Sequence, residues 1–200
     1  MTTVCIPHTT LLQRHPETPR SPAHNIEVNL YLTRDRALAL TYVLRGDIDC
    51  SKIAPRQPEC RADPLWQHTC FEAFISMEHK PAYYEFNFAP SGEWAVYAFA
   101  SYRKGEPRQD EQLAPRIVVR QNENKLELDA IVRLQRLPRL DMQSRLRVGL
   151  SAVIEDNDGM FSYWALKHPS GKPDFHHPDN FALEIEAGLQ TVNESVIDKR

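Results

Sequence analysis

The segment from residue 65 to residue 103 constrains the fold most, because it holds three adjacent runs of alternating apolar and polar side chains. Successive side chains point to opposite faces of a β-strand, so this period of two predicts strands. The runs cover residues 69–77, 83–90 and 94–101, and Pro90-Ser91-Gly92 is a turn signal between the last two. We therefore expect an antiparallel meander.

The alternation also predicts which side chains of the meander are buried. One face is apolar, and its predicted core residues are joined by a valine of a later run: Phe71, Ile75, Phe86, Phe88 and Val148. The other face mixes aromatic side chains with Glu72, Glu85 and Asn87. Polar groups at the centre of a sheet are more typical of a site than of a core, so we place the functional site on this mixed face.

The rest of the chain repeats the strand pattern and contains no persuasive helix longer than two turns. Further strands are predicted at residues 26–33, 37–44, 116–120, 125–132, 146–154, 161–166 and 181–185. Many short strands with turn signals between them predict an all-β fold, an antiparallel two-sheet β-sandwich, over residues 26–186. The proline-rich residues 1–25 are predicted to form an extended arm with a short strand near residues 4–6, and residues 187–200 a polar tail.

Charge and segment composition exclude several classes of function. Lysine and arginine total 24 against 27 acidic residues, a net charge of -3, whereas nucleic-acid binding needs clustered positive charge. No secretory signal opens the chain, and no run approaches the ~20 apolar residues of a membrane helix. We expect a cytoplasmic protein without a nucleic-acid or membrane partner, with reduced cysteines; a Cys50–Cys60 bridge is the alternative.

Two further features are candidate ligand contacts. Trp66, Trp94 and Trp164 lie at strand ends or next to loops, where an indole ring either stacks on a ligand or packs in the core. The segment 167–177 is rich in proline, glycine and histidine. It could ligate a metal, although its spacing matches no standard motif, or it could be a rigid loop whose polar groups satisfy the backbone.

The acidic residues also admit more than one interpretation. Glu72 and Glu85 on neighbouring strands could form a catalytic carboxylate pair or bind ligand hydroxyls, and binding makes fewer demands. Residues 156–159 (Asp-Asn-Asp-Gly) lack the complete twelve-residue calcium pattern and favour a plain hairpin turn. The sequence requires no cofactor, leaves haem and calcium as alternatives, and does not indicate an oligomeric state.

The meander and the segment 162–177 together resemble bacterial DOMON-like proteins, which are related to family 9 carbohydrate-binding modules. The residues that carry the resemblance are Trp66, Cys70, Glu72, Tyr83, Glu85, Phe86, Pro90 and Gly92. It implies an immunoglobulin-like jelly-roll sandwich that binds sugar in some relatives and haem in others. Sugar-binding relatives hold the sugar between two tryptophans, here Trp66 and Trp94, and haem-binding relatives use a methionine and a histidine, here Met77 or Met160.

The resulting hypothesis is a module that binds a small ligand, most simply a carbohydrate or a sugar-containing molecule. The alternatives are a haem- or metal-binding module and an enzyme that acts on sugar derivatives. We place the site where the loop ending at residue 68 meets the loop 167–180. The candidate ligand-binding residues are Trp66, His68, Glu72, Glu85, Asn87, Trp94, Arg103, Trp164, His168, Asp174, His176 and His177.

Overall fold

A computed structural model describes residues 7–18, 20–108, 110–138, 140–141 and 144–185. The strands are β1 (His8–Arg14), β2 (Ala23–Leu32), β3 (Ala37–Gly46), β4 (Cys70–Met77), β5 (Tyr83–Phe88), β6 (Trp94–Ser101), β7 (Lys104–Pro107), β8 (Arg116–Asn122), β9 (Lys125–Arg133), β10 (Leu146–Glu155), β11 (Phe161–Ala165) and β12 (Leu183–Ile185). Within the described residues the helices are single 3-10 turns, at Ile48–Cys50, Leu65–Gln67, Glu111–Leu113, Leu134–Arg136 and Pro178–Asn180. None of these turns has the length and apolar character needed to cross a membrane.

The strands form two antiparallel sheets, which confirms the predicted all-β sandwich. Sheet A has the order β1-β2-β3-β9-β8, and sheet B has the order β7-β6-β5-β4-β10-β11 with β12 also paired to β10. The predicted meander is present as β4-β5-β6, with Glu72 opposite Asn87 and Glu85 opposite Tyr97. Each of the ten predicted strands is found, with ends displaced by at most three residues.

Strand β1 belongs to both sheets. Its first part pairs with β2 (Leu12 opposite Ile26), and its end pairs with β11, where Gln13 lies opposite Ala165. The sequence predicts an extended arm lying on the body over residues 1–25, and within it residues 8–14 form a strand paired in both sheets, while residues 4–6 lie outside the described residues. The sequence signal was weak because Leu11 and Leu12 are adjacent and only Leu12 is buried, while Leu11 is 59% exposed.

The core lies between the two sheets. Sheet A contributes Ile26, Val28 and Leu30 of β2, and all five predicted core residues of sheet B are fully buried. Burying one such side chain stabilises the fold by roughly 1.5–3 kcal/mol. Tyr42 from sheet A crosses this core and donates its hydroxyl hydrogen to the Glu72 carbonyl oxygen at 2.7 Å, which ties the two sheets together.

Sheet B is also covered on its outward face. Every residue of β5 and all but the last residue of β4 are buried, although only alternate residues point into the sandwich core. In sheet A, by contrast, the edge strand β8 buries only Ile117, so its outward face is open to water. The cover on sheet B is the segment 166–182 between β11 and β12, here called the roof loop.

The remaining differences from the sequence predictions are local. Strand β7 was not predicted because its four residues are all exposed and show no apolar alternation. Cys50 and Cys60 are free thiols, so the alternative of a bridge between them is wrong. Residues 156–159 form the turn between β10 and β11, where the N–H groups of Asp158 and Met160 donate to the Asp156 carboxylate, as expected of a plain hairpin turn.

Candidate functional site

A cavity of about 700 Å³ lies on the outward face of sheet B, beneath the roof loop. Its size falls within the range usual for small-molecule sites. Strands β4, β5, β6, β10 and β11, the turn at Leu65–Gln67 and the roof loop all contribute to its lining. The lining residues are Trp66, Gln67, Glu72, Glu85, Tyr97, Phe99, Arg103, Val153, Phe161, Tyr163, Pro173, Phe175 and His176.

The position of the roof loop follows from how β10 is paired. One edge of β10 is shared by β12, which pairs with its first residues, and by β11, which pairs with its last residues. The loop leaves the sheet between them and is joined to β10 by Arg147, whose Nη2 donates to the Phe181 carbonyl oxygen at 2.7 Å. Within the loop, the side-chain amide of Asn180 donates to the Phe175 carbonyl oxygen at 3.0 Å. Gly149 permits this approach, because a Cβ atom there would lie 3.1 Å from Asn180 Nδ2 and 3.3 Å from Phe74 Cβ.

Two carboxyl groups form part of the cavity floor. Glu72 and Glu85 are diagonal neighbours on β4 and β5, an arrangement in which Cα atoms are typically about 7–8 Å apart. Ser151 Oγ donates to Glu72 Oε2 at 3.0 Å, and Asn87 Nδ2 donates to Glu85 Oε1 at 2.7 Å. Both carboxyl groups therefore have fixed orientations and are hydrogen-bonded to neutral partners.

Burial raises the pKa of both acids. The pKa of Glu85 rises from 4.5 to about 7 because desolvation outweighs the hydrogen bond from Asn87 and the field of Arg103. The pKa of Glu72 is raised well above its usual value, first by burial and then by the charge of Glu85, against the hydrogen bond from Ser151. The floor therefore keeps its acidic protons to a higher pH than exposed carboxyl groups would, and such a proton can be donated to a ligand oxygen.

His176 connects the roof loop to the floor. The Arg103 backbone N–H donates to the Tyr83 hydroxyl at 3.1 Å, and that hydroxyl lies 2.8 Å from His176 Nδ1. The phenolic proton is then free to be donated to Nδ1, which assigns the imidazole proton to Nε2, 3.7 Å from Glu85 Oε2. Burial and the nearby Arg103 lower the pKa of His176 to about 4, so the ring is neutral at pH 7.

An ion-pair cluster fixes the edge of the roof loop. Arg103 lies in the turn after β6 with a positive φ of 54°, and its Nη2 is 2.7 Å from Asp174 Oδ1. Tyr102 OH donates to the other carboxylate oxygen of Asp174 at 2.5 Å, and the His176 N–H donates to Oδ1 at 3.1 Å. Asp174 therefore holds together the β6–β7 turn and the base of the roof loop.

The structure brings five of the predicted site residues together in the cavity lining: Trp66, Glu72, Glu85, Arg103 and His176. Trp66 is 49% exposed and presents its indole to the cavity mouth. Asp174 stands behind Arg103, and Asn87 is fully buried under the floor, where it orients Glu85. These two residues can position lining groups, but they are not part of the cavity lining.

Two of the three tryptophans do not belong to the site, so the prediction that Trp94 and Trp164 contact the ligand is wrong. They are 2% and 5% exposed and lie in the core between the sheets. Trp164 Nε1 donates to Ser162 Oγ at 3.2 Å, which satisfies its one polar group inside the core. The physical reason is strand alternation, which places both rings on the inward face of sheet B. A clamp formed by Trp66 and Trp94 is excluded for the same reason.

Three predicted histidines are also elsewhere. His68 Nδ1 lies 2.8 Å from Glu155 Oε2, His168 Nε2 lies 2.8 Å from the Gln13 carbonyl oxygen, and the side chain of His177 caps the 3-10 turn at Pro178–Asn180. None of the three belongs to the cavity lining. His168 and His177, which belong to the histidine-rich loop, each bond to a backbone group, and this is the structural interpretation that the sequence left open for that loop.

Several lining residues were not predicted, and most of them are aromatic: Gln67, Tyr97, Phe99, Val153, Phe161, Tyr163, Pro173 and Phe175. The signal was available in the alternation. On β6 and β11 the tryptophans point into the core. Tyr97, three residues after Trp94, and Tyr163, next to Trp164, must therefore point outward to the cavity. The prediction selected tryptophans by residue type and did not use the strand face on which they lie.

The described residues contain no group of three or more histidine, cysteine, aspartate or glutamate side chains arranged to hold a metal ion. The two methionines considered for haem lie apart, Met77 opposite the first residue of β10 and Met160 beyond its last residue. Because the ten residues of β10 span about 30 Å, the two methionines lie at opposite ends of this strand. Neither methionine lines the cavity described above.

Comparisons with known proteins support the fold. No protein-family model matches the sequence, and no curated protein matches it. The fold resembles a crystal structure from Bacteroides uniformis, described as that of a candidate carbohydrate-binding protein, with a TM-score of 0.65, 17% identity, and coverage of 86% of this chain and 83% of that chain.

A family 9 carbohydrate-binding module from Caldicellulosiruptor kristjanssonii gives weaker matches. Its glucose complex has a TM-score of 0.48, 12% identity and coverage of 80% of this chain and 76% of that chain. Its cellotriose complex has a TM-score of 0.49, 11% identity and coverage of 82% and 74%. The Bacteroides uniformis match alone establishes a shared fold: the chain is an antiparallel β-sandwich of the same architecture as that protein.

Proposed function

We propose that the chain is a carbohydrate-binding module whose ligand occupies the cavity on the outward face of sheet B. The observation that carries the proposal is the pairing of aromatic walls with a polar floor in one cavity of about 700 Å³. A sugar ring has apolar C–H surfaces that stack on aromatic rings and hydroxyl groups that need hydrogen-bonding partners. Trp66 supplies the exposed stacking surface, and Glu72 and Glu85 supply the partners.

The fold comparison is consistent with this proposal. The Bacteroides uniformis protein of the same architecture is described as a candidate carbohydrate-binding protein, although fold alone does not determine function. We further propose, from the motif resemblance, that the chain is a DOMON-like protein of the cytoplasm. The argument for sugar binding rests on the cavity itself and does not depend on this assignment.

Isothermal titration calorimetry with a panel of mono- and oligosaccharides tests the proposal. Trp66→Ala should weaken sugar binding by about tenfold or more, since an aromatic anchor in an interface commonly contributes over 1 kcal/mol. Tyr31→Ala is the matched control, because Tyr31 is an exposed aromatic residue of β2 in sheet A, remote from the cavity lining. Absence of binding by the unmodified protein to every sugar would overturn the proposal, as would equal losses in the two variants.

A further inference from the structure

The two acids of the cavity floor are buried without a cationic partner. Glu72 and Glu85 are 3% and 5% exposed. Among the described residues, neither carboxyl group forms an ion pair with lysine or arginine. His176 Nε2 lies 3.7 Å from Glu85 Oε2, but its ring is neutral at pH 7. A buried carboxylate without a counter-ion is costly.

A third buried carboxyl group on the same face provides the contrast. Glu155 of β10 is 4% exposed, yet Lys52 Nζ lies 2.7 Å from its Oε1 and His68 Nδ1 lies 2.8 Å from its Oε2. These partners outweigh burial and lower the pKa of Glu155. The buried carboxylate of Glu155 thus has a lysine as its counter-ion. Glu72 and Glu85, which are buried on the same face, have no lysine partner in the described part of the chain.

Arg103 also lines the cavity, but it does not act as the counter-ion of Glu72 or Glu85. Its guanidinium is paired with Asp174 at 2.7 Å, so its charge is largely neutralised within the edge cluster. Its effect on Glu85 is smaller than those of burial and of the Asn87 hydrogen bond. The other groups around the two acids, Ser151 and Tyr97 among them, are neutral.

The aromatic walls have the complementary property. Six rings line the cavity, and the negative faces of such rings attract cations, most strongly for tryptophan and tyrosine. The rings are Trp66, Tyr97, Phe99, Phe161, Tyr163 and Phe175. Aromatic rings combined with uncompensated carboxyl groups form an environment suited to an organic ammonium group.

We propose that the cavity selects a carbohydrate that carries a protonated amino group, with the ammonium placed between the Glu72–Glu85 pair and the aromatic rings. This inference rests on the proposed carbohydrate-binding function and names the chemical class of its ligand. A cation in that position lowers the pKa of both carboxyl groups. A proton held by the pair in the free protein is then released to the buffer when the ligand binds.

Calorimetric titration of the full chain at pH 7 with D-glucosamine, N-acetyl-D-glucosamine and D-glucose tests the inference. The three sugars share a ring size, and only the first carries a positive charge. We expect glucosamine to bind at least about tenfold more tightly, which corresponds to about 1.4 kcal/mol. Titrations in phosphate and in MOPS, whose ionisation enthalpies differ, should show proton release with glucosamine only.

Variants then locate the selectivity. Glu85→Gln should reduce the preference for glucosamine over glucose to about one, because the amide cannot carry the charge that binds an ammonium. Glu127→Gln, on the outward face of sheet A, should retain the preference of the unmodified protein. Thermal melts of both variants verify folding, and proton release by the unmodified protein provides a readout that needs no variant.

The outcomes separate this inference from the proposed function. Equal affinity for all three sugars, or a preference that survives Glu85→Gln, would overturn the amine selectivity and leave carbohydrate binding intact. Binding of tetramethylammonium without binding of any sugar would uphold the cation site and overturn the carbohydrate function. No binding by any of these four probes would overturn both.

Discussion

Glu85 and Glu127 are the same residue type at outward-facing positions of opposite sheets, yet their acidities move in opposite directions. Glu127 of sheet A interacts with Lys125 and Arg120 at 2.8 Å each, and these cations lower its pKa to about 2. Glu85 of sheet B lies beneath the roof loop, where burial raises its pKa to about 7. The comparison shows that a covered carboxyl group without a cationic partner keeps its proton to a higher pH, whereas cationic partners hold a carboxyl group ionised, as they also do for the buried Glu155.

The largest expected effect concerns the core that the two sheets share. Phe86→Ala should lower the free energy of unfolding by about 3–5 kcal/mol, because it leaves a cavity at a fully buried site. Val118→Ala, at an exposed position on β8 of sheet A, is the control and should change stability by only about 0.5 kcal/mol. Urea denaturation measures both, and a loss below about 1 kcal/mol for Phe86→Ala would contradict the face assignment of β5.

The next effect tests the comparison of the two acids directly. The raised pKa of Glu85 contributes stability that is fully present below pH 4.5 and is lost as the pH rises to about 7. Relative to the unmodified protein, Glu85→Gln should therefore gain stability across this window, by up to about 3 kcal/mol. His176 makes an opposing contribution, because its lowered pKa costs stability as the pH falls from 6.5 to about 4. This contribution is removed when the unfolding free energy of the unmodified protein is subtracted from that of the variant at each pH.

The matched variant Glu127→Gln should show the opposite sign. The lowered pKa of Glu127 contributes stability above pH 4.5 that is lost as the pH falls to about 2. This variant should be slightly less stable than the unmodified protein at pH 7 and indistinguishable from it at pH 2. Urea denaturation from pH 4 to pH 8, extended to pH 2 for Glu127→Gln, provides the measurement. The same sign of change for both variants at pH 7 would contradict the comparison.

A further effect concerns the attachment of the roof loop. Asp174→Ala removes the partner of Arg103 and Tyr102, so we expect a loss of about 1–2 kcal/mol and a melting temperature lower by about 2–8 °C. Asp179→Ala is the control from the same loop, because the Asp179 carboxylate is exposed and lies 3.5 Å from His177 alone. Unchanged melting of Asp174→Ala, combined with weakened sugar binding, would make Asp174 a ligand contact instead of a structural clasp.

The fold was more predictable from the sequence than the site. Alternation in the runs around Phe71, Phe86 and Val148 is a local signal that also assigns faces, so most strands and the core of sheet B could be predicted. Strands β1 and β7 lack this signal, because β1 buries only one of its residues and β7 is an exposed edge.

Within the site, prediction succeeded where a residue's face determined its role and failed where residue type was used alone. Glu72 and Glu85 were placed correctly on the outward face because they alternate with core residues. Trp94 and Trp164 were selected as aromatic ring types, although the same alternation places them in the core. His68 is positioned by Glu155, and His168 is positioned by the Gln13 carbonyl oxygen. Both partners are far away in the sequence, so no local pattern could indicate these contacts.

The double pairing of β1 has a consequence for the order of folding. Its partner β2 follows almost at once in the chain, whereas its partner β11 lies about 150 residues further on. Contacts between such distant segments are slow to form because the loop between them must first be closed. During synthesis, the end of β1 cannot pair with β11 until nearly the whole domain has left the ribosome. Closure of the sandwich along this seam is therefore expected among the last events of folding.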